Sequence, residues 1–335
     1  MTLEVPASAE SLHPEGRDSA TVGGLVLAVL RELAGSKGHQ ARFLLNALMR
    51  PAVLQRYATS ASSSSLRAYV SERPEVCGAL IWPYQCASWS AAERFARIES
   101  HFSVLDTAPE QFRFGTSARV LLADLTDRSQ GARLILDQPK WLFREGLLAL
   151  SIFLDEDRAY SLSFSLQRQG TETQVFVGGL QGRRSADALA QYRRLTHDFQ
   201  GLRPRDLLID MLKACVSVLG VARILAVADE HRYFRHPYFG HNPHPDVLTN
   251  YDEIWSERGG QRVAPTHFEL PLAPSARPLD EVPSRKRALY RRRNEMLGSL
   301  FRRVQDSVER KADRHDRRVR PHHADDAQLF ASIVN

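Results

Sequence analysis

The stretch from residue 228 to 246, ADEHRYFRHPYFGHNPHPD, carries His231, His236, His241 and His244 among the carboxylates Asp229, Glu230 and Asp246. Imidazoles can ligate a metal, move a proton near neutral pH, or simply stand in solvent. The spacings of five, five and three do not give the i, i+4 pair that places two zinc-binding histidines on one helical face. The loop follows VARILAVA, a continuous apolar run that predicts a strand buried on both faces. Ligands of open α/β sheets collect beyond the carboxyl ends of such strands, and His231 stands there. At this level a metal site, a single catalytic or ligand-contacting histidine, and a solvated loop all remain open.

Three further constellations could handle an anion. In VFVGGLQGRRSADAL, Gly178, Gly179 and Gly182 are expected to follow a strand and precede a helix capped by Ser185, with Arg183 and Arg184 beside them. Exposed backbone N–H groups there could face a phosphate, although the spacing is not G-x-G-x-x-G, and a tight exit from the sheet explains the glycines equally well. In GLRPRDLL, Arg203 and Arg205 flank a helix start, where the dipole and two guanidinium groups would favour a phosphate or carboxylate. The competing expectation is that they pair with Asp206 or Asp210. Finally, SRKRALYRRRNEMLGSLFRR holds eight basic residues and one acid. Its apolar side predicts a packed amphipathic helix whose outer face, with Arg285, Lys286, Arg287, Arg291, Arg292 and Arg293, could lie along nucleic acid or an anionic leaflet.

The elements that would position these groups fall into a helical and a sheet-bearing part. Residues 1–20 are polar and expected to be disordered; 21–110 form a helical N-terminal region; 111–307 form an α/β core ending in the basic helix; 308–335 form a polar tail. Apolar residues recur at helical spacing from Val22 to Arg56, with a break at Gly35 to Gly38 and a restart at Pro51. SASSSS offers a joint and an N-cap. A helix begins near Ser90, with Phe95, Ile98, Phe102 and Leu105 on one face. SARVLLADL and ARLILD read as strands, and residues 147–179 as three antiparallel strands, Ser161, Ser163 and Ser165 alternating with Leu162, Phe164 and Leu166. Helices follow over Ser185 to His197 and Pro204 to Leu219, with Gly220 as the stop, before VARILAVA and a short strand at THFELPL. The expected fold class is α/β (α+β): a mixed, largely antiparallel sheet with flanking helices and one parallel crossover.

Composition narrows the function classes. With 43% hydrophobic and 25% charged residues, the 335-residue chain can bury a sizeable core, and its net charge of +6 favours anionic partners. Cys77, Cys86 and Cys215 form no C-x-x-C pair, which argues against a zinc finger or a disulfide framework and fits a reducing, cytoplasmic setting. No segment reaches the roughly 20 apolar residues of a spanning helix, so any membrane contact is expected to be peripheral. G-x-S-x-G, P-loop, kinase and Rossmann fingerprints are absent from the sequence.

Several blocks together carry a resemblance. WPYQCASWSAAERFARIESHFSVLD, LSIFLDEDRAYSLSFSL, VFVGGLQG, HDFQGLRPRDLLIDMLKACVSVLGVARILAVADEHR, NYDEIWSERGG and DEVPSRKRALYRRRNEML resemble, in this order, the VirK/YbjX family of Gram-negative bacteria, over about residues 40–307. The resemblance implies a soluble cytoplasmic protein linked to virulence, envelope resilience and stress or DNA-damage responses. It also implies that His231 and the Asn250–Trp255 block belong to the shared pattern, while His236, His241 and His244 are local additions, which weighs against a four-histidine metal site.

Two functions of different class follow. The order of elements is similar to that of the GNAT acyltransferases, with an extra helix intervening. An enzyme of that kind would use acyl-CoA or an aminoacyl donor on tRNA; Gly178, Gly179, Gly182, Arg203 and Arg205 would hold phosphate, His231 or Asp252 would be the base, and Tyr251 a proton donor. The alternative is a non-catalytic binding or regulatory protein acting through the basic helix.

Overall fold

The computed structural model describes residues 21–59, 63–240, 249–274 and 278–310. The expected disordered start, the polar tail beyond 310, and His241, His244 and Asp246 lie outside the described residues. Helices α1 (Val22–Glu32), α2 (Lys37–Met49), α3 (Pro51–Thr59) and α4 (Ser64–Glu72) come first. Three of them start on a hydroxyl that accepts from an otherwise orphaned backbone N–H: Thr21 from Gly24, Ser36 from His39, and Ser63 from Leu66. A 3-10 stretch, Pro74–Leu80, leads to α5 (Ala91–Leu105), which opens on a reciprocal capping box between Ser90 and Glu93. The sequence expectations for these helices hold to within a few residues.

The sheet begins with β1 (Arg119–Asp124), β2 (Ala132–Asp137), β3 (Leu148–Leu154), β4 (Asp157–Gln169) and β5 (Glu172–Gly182), an antiparallel meander. Helices α6 (Ala188–Asp198) and α7 (Pro204–Ser217) then cross over to β6 (Val221–Val227), which runs parallel to β5. After α8 (Tyr251–Glu257), a hairpin of β7 (Gln261–Ala264) and β8 (His267–Leu270) completes the order β1-β2-β3-β4-β5-β6-β8-β7. The last helix, α9 (Ser284–Glu309), returns to pack on α7 and β1 through Met296, Leu297, Leu300, Val304 and Val308. The fold is therefore α+β with a helical N-terminal region.

Two local expectations are corrected. The glycines at 178, 179 and 182 lie within β5 rather than after it, and Ser185 is not the N-cap: α6 starts at Ala188 behind Asp187. In β4 the alternating serines and apolar residues are both interior, residues 161–167 all being buried. The serines there serve an interior polar layer, with Ser161 Oγ 2.9 Å from Ser151 Oγ and Ser165 Oγ 2.6 Å from the Tyr84 hydroxyl. Strand β7 had no apolar signal, since Gln261, Arg262 and Val263 are exposed and only its hairpin with β8 defines it.

The layer also holds a buried ion pair. Asp137 takes two bonds from Arg158, one to each carboxylate oxygen at 3.3 and 2.5 Å, and Arg119 approaches at 3.9 Å. Cys77, Cys86 and Cys215 are buried free thiols. Among the described residues, no helix is long and apolar enough to cross a membrane.

Candidate functional site

The parallel pairing of β5 and β6 stops at Val177↔Ala226, although β5 runs on to Gly182. Beyond that rung the two strands need other partners for their backbone groups, and α8 supplies them. The Tyr251 hydroxyl donates to the Leu180 carbonyl at 2.9 Å and accepts from the Leu180 N–H at 2.6 Å. One turn later Trp255 Nε1 donates to the Val227 carbonyl at 2.8 Å. The guanidinium of Arg232 lies 3.7 Å above the Tyr251 ring. Burial pushes the Tyr251 hydroxyl far above its ordinary pKa, so it stays protonated.

Beneath this wedge lies Glu145, which the sequence did not single out. It is buried, and Gln181 and Ser163 are the side-chain hydrogen-bonding neighbours of its carboxyl. A Cβ at Gly179 would run into this carboxyl, and one at Gly178 into the Glu145 carbonyl, so the two glycines admit Glu145 against the strand. Gln181 donates to Oε1, while Gln85 bridges the carbonyls of Glu145 and Phe176 at 3.2 and 3.0 Å. Burial raises the Glu145 carboxyl to about 7, with Gln181 and Arg232 partly opposing it. Gly182 does the same service for Tyr192, whose hydroxyl donates to the Arg183 carbonyl at 2.9 Å.

At the open end of β6 a hydroxyl meets an imidazole: Ser88 Oγ lies 2.5 Å from His231 Nδ1. Two backbone contacts hold the partners together, a bridge between Cys86 and Arg232 and an Ala87 N–H bond to the His231 carbonyl at 2.7 Å. Behind Ser88, the buried Arg94 of α5 donates to the carbonyls of Ala79, Trp82 and Trp89 at 2.9, 2.5 and 3.0 Å. That fan of bonds pins both ends of the segment carrying Ser88. Ser88 is exposed and His231 half-buried, so the pair is open to a ligand. Neighbouring Cys86 is held protonated by burial, although Ser88 partly offsets this.

The remaining sequence candidates are engaged with the protein itself. Asp252 accepts from the Asp229 N–H at 2.8 Å and pairs with Arg262; Asp229 in turn accepts from the Tyr251 N–H at 3.0 Å and from Arg235 at 2.5 Å. These bonds lock the histidine loop onto α8. His236 Nδ1 accepts from the Tyr238 N–H at 3.0 Å, and burial with Arg94 and Arg42 nearby lowers it to about 4. Among the described residues, no group of three His, Cys, Asp or Glu side chains is arranged to hold a metal.

Arg203 and Arg205 both donate to Oε2 of Glu257, at 2.5 and 2.8 Å, and Arg203 also to Asp206 at 2.7 Å. On α9, Arg287 donates to the Val282 carbonyl, while Arg292 and Arg293 bond Gln200. Arg285, Lys286 and Arg291 stand exposed.

The family model described as "Protein of unknown function (DUF535)" matches residues 34–306. The chain belongs to the DUF535 family. It is 24% identical over 266 residues to the uncharacterised protein YbjX of Escherichia coli K12, covering 77% of this chain and 80% of that one. An uncharacterised Haemophilus influenzae protein is 29% identical over 134 residues, covering 40% of this chain and 44% of its own. A second from the same organism is 25% identical over 218 residues, covering 63% and 70%. The VirK/YbjX resemblance read from the sequence blocks is thereby confirmed as family membership. No solved structure matches this chain. The DUF535 match takes in Ser88, Glu145, His231 and the whole of α8.

Ser88 and Glu145 escaped sequence reasoning for different causes. Ser88 carried no motif of its own and becomes notable only when the bridge to Arg232 sets it beside His231. A single acid in REGLLALS gives no sign that its side chain turns inward.

Proposed function

We propose that the chain is an enzyme of acyl transfer whose reacting pair is Ser88 and His231. The observation that carries this reading is the 2.5 Å contact between Ser88 Oγ and His231 Nδ1 at the open carboxyl end of β6. A hydroxyl in bonding reach of an imidazole, with the imidazole fixed by its own backbone, is the arrangement that activates a serine nucleophile. In the proposed step Ser88 Oγ adds to the donor's acyl carbonyl and its proton passes to His231 Nδ1. The leaving group departs with that proton, and the acyl-serine ester then yields its acyl group to an acceptor hydroxyl, amine or water.

The order of elements, a meander followed by a parallel pair that parts at Val177, supports a GNAT-like setting by analogy only. Within this proposal His231 keeps the role of base, while Tyr251 and Asp252 hold the wedge and the loop. A phosphate-bearing donor such as acyl-CoA would reach Arg203 and Arg205 by displacing Glu257. Gly178, Gly179 and Gly182 contribute by admitting Glu145 and Tyr192. The proposed enzyme would act in the cytoplasm, with the links to virulence, envelope resilience and stress or DNA-damage responses that the family resemblance implies.

The test is turnover of p-nitrophenyl acetate by the purified protein, with a search for a burst of p-nitrophenol. Loss of about a hundredfold or more in both Ser88→Ala and His231→Gln, with unchanged melting temperatures, is the expected result. Equal turnover by wild type and both variants would overturn it.

A second reading rests on the exposed Arg285, Lys286 and Arg291 of α9: a non-catalytic protein binding nucleic acid or another polyanion. It requires affinity that falls steeply with salt and disappears on reversing the charges of Arg291, Arg292 and Arg293, while His231→Gln changes nothing.

A further inference from the structure

Helix α2 has two apolar stripes, and the fold uses one. Phe43 and Ala47 face inward and are buried. On the other side Leu44, Leu45, Leu48 and Met49 are 41, 57, 79 and 59% exposed. Together with the exposed Ala41, positions 44, 45 and 48 form a stripe at the i, i+3, i+4, i+7 spacing of one helical face. A helix needs a single such stripe to pack against its own domain. Contiguous leucines left in water mark a contact surface.

The charge carried by this segment of the chain is one-sided. Between Glu32 and Glu72 the sequence contains no Asp or Glu, and it contains Lys37, Arg42, Arg50, Arg56 and Arg67. Lys37 and Arg42 are exposed on α2 itself, Lys37 at the N-terminal end of the apolar stripe. Long basic side chains so placed can lay their stems along apolar surface and hold their charges at headgroup level.

We infer that α2 is a docking face for an anionic lipid surface, lying in the plane of the interface with Leu44, Leu45 and Leu48 in the acyl boundary. Two alternatives fit less well. A second copy docked symmetrically would lay two basic helix faces together with no acidic residue between Glu32 and Glu72 to pair with Lys37 or Arg42. An acidic amphipathic peptide would need a groove to enter, whereas Leu48, at 79% exposed, protrudes. A fluid acyl layer accepts a protruding ridge, and anionic headgroups match the cations beside it. The inner side of the same helix reaches the candidate site: the His39 ring stacks on Tyr238 at 4.2 Å, in the loop that leaves His231. Docking through α2 would therefore bring the Ser88–His231 rim close to the lipid surface. The inference itself does not depend on the acyl-transfer reading.

The test is flotation of the full chain with vesicles of phosphatidylcholine alone or with one-third phosphatidylglycerol, alongside size-exclusion chromatography at increasing protein concentration. Wild type is expected to float with the anionic vesicles and not with the neutral ones. Leu45→Gln/Leu48→Gln and Lys37→Glu/Arg42→Glu should each weaken that binding about tenfold or more, since only exposed groups change and the fold is kept. Failure to float with either vesicle would overturn the inference. So would undiminished binding in the α2 variants with loss in Arg291→Glu/Arg292→Glu, which would move the lipid contact to α9. Self-association abolished by Leu45→Gln/Leu48→Gln, without vesicle binding, would identify a second copy as the occupant instead.

Discussion

The hydroxyl of Tyr251 stands in for a missing strand: it bonds both the N–H and the carbonyl of Leu180, at 2.6 and 2.9 Å, where β6 has already parted from β5. Removing it leaves two buried backbone groups without a partner, each costing about 1–3 kcal/mol. Tyr251→Phe is thus expected to lower unfolding free energy by about 2–6 kcal/mol with the ring packing retained. Urea denaturation measures this directly, and a loss below about 1 kcal/mol would mean that the wedge is satisfied from elsewhere.

Glu145 should make the protein less stable as pH rises. Its folded carboxyl, raised to about 7, holds a proton that the unfolded chain releases near 4.5. The native state therefore binds more protons between those values, and stability falls across that window and levels off above it. The full effect is about 3 kcal/mol. Glu145→Gln keeps the carbonyl that Gln181 bonds, removes this slope, and should raise the melting temperature at pH 8 more than at pH 5. Equal gains at both pH values would show the carboxyl to be solvated.

His101 works in the opposite sense. It is fully buried on α5, its Nδ1 accepts the Leu166 N–H at 3.0 Å, and burial lowers it to about 3. Below its ordinary value of 6.5 the unfolded state takes a proton that the native state refuses, so stability is lost as pH falls from about 6.5 towards 3. Between pH 4.5 and 6.5 the contributions of Glu145 and His101 oppose each other. His101→Asn, which can keep an acceptor near Leu166, should flatten the acid limb of a stability–pH curve, and an unchanged limb would exonerate His101.

The Asp137–Arg158 pair predicts the severest single loss. Both side chains are almost wholly buried, so Asp137→Ala strands a guanidinium in the polar layer of the sheet. The expected cost is about 3–5 kcal/mol. The double variant Asp137→Leu/Arg158→Met should recover a large part of it, and calorimetry of the single and double variants checks both values.

Much of this architecture was legible in the sequence because its signals are local. A helix starts at Ser90 as its spacing indicated, Pro204 opens α7, and Gly220 follows it at φ +59. VARILAVA read correctly as a strand buried in a parallel pair. The site was less legible, because its partners are remote in the chain. Ser88 and His231 are 143 residues apart, and Tyr251 meets Leu180 across 71. Gly178 and Gly179 looked like a phosphate loop because a strand glycine and a loop glycine share one letter; only Glu145 packed against them tells the two apart. Arg203 and Arg205 sit at the helix start as expected, but their shared carboxylate, Glu257, comes from a segment whose approach no spacing rule reveals.

The return of α9 across the fold has a consequence for how this chain must be made. Arg303 bonds the carbonyl of Asp124, and Ser307 Oγ lies 3.4 Å from that of Leu121, so the last helix covers the outer rim of the first strand. Until α9 has emerged from the ribosome, that rim is an uncovered template for pairing with another nascent chain. Prematurely terminated products lacking residues 284–309 should therefore be the species that clump, whatever the intact protein proves to bind.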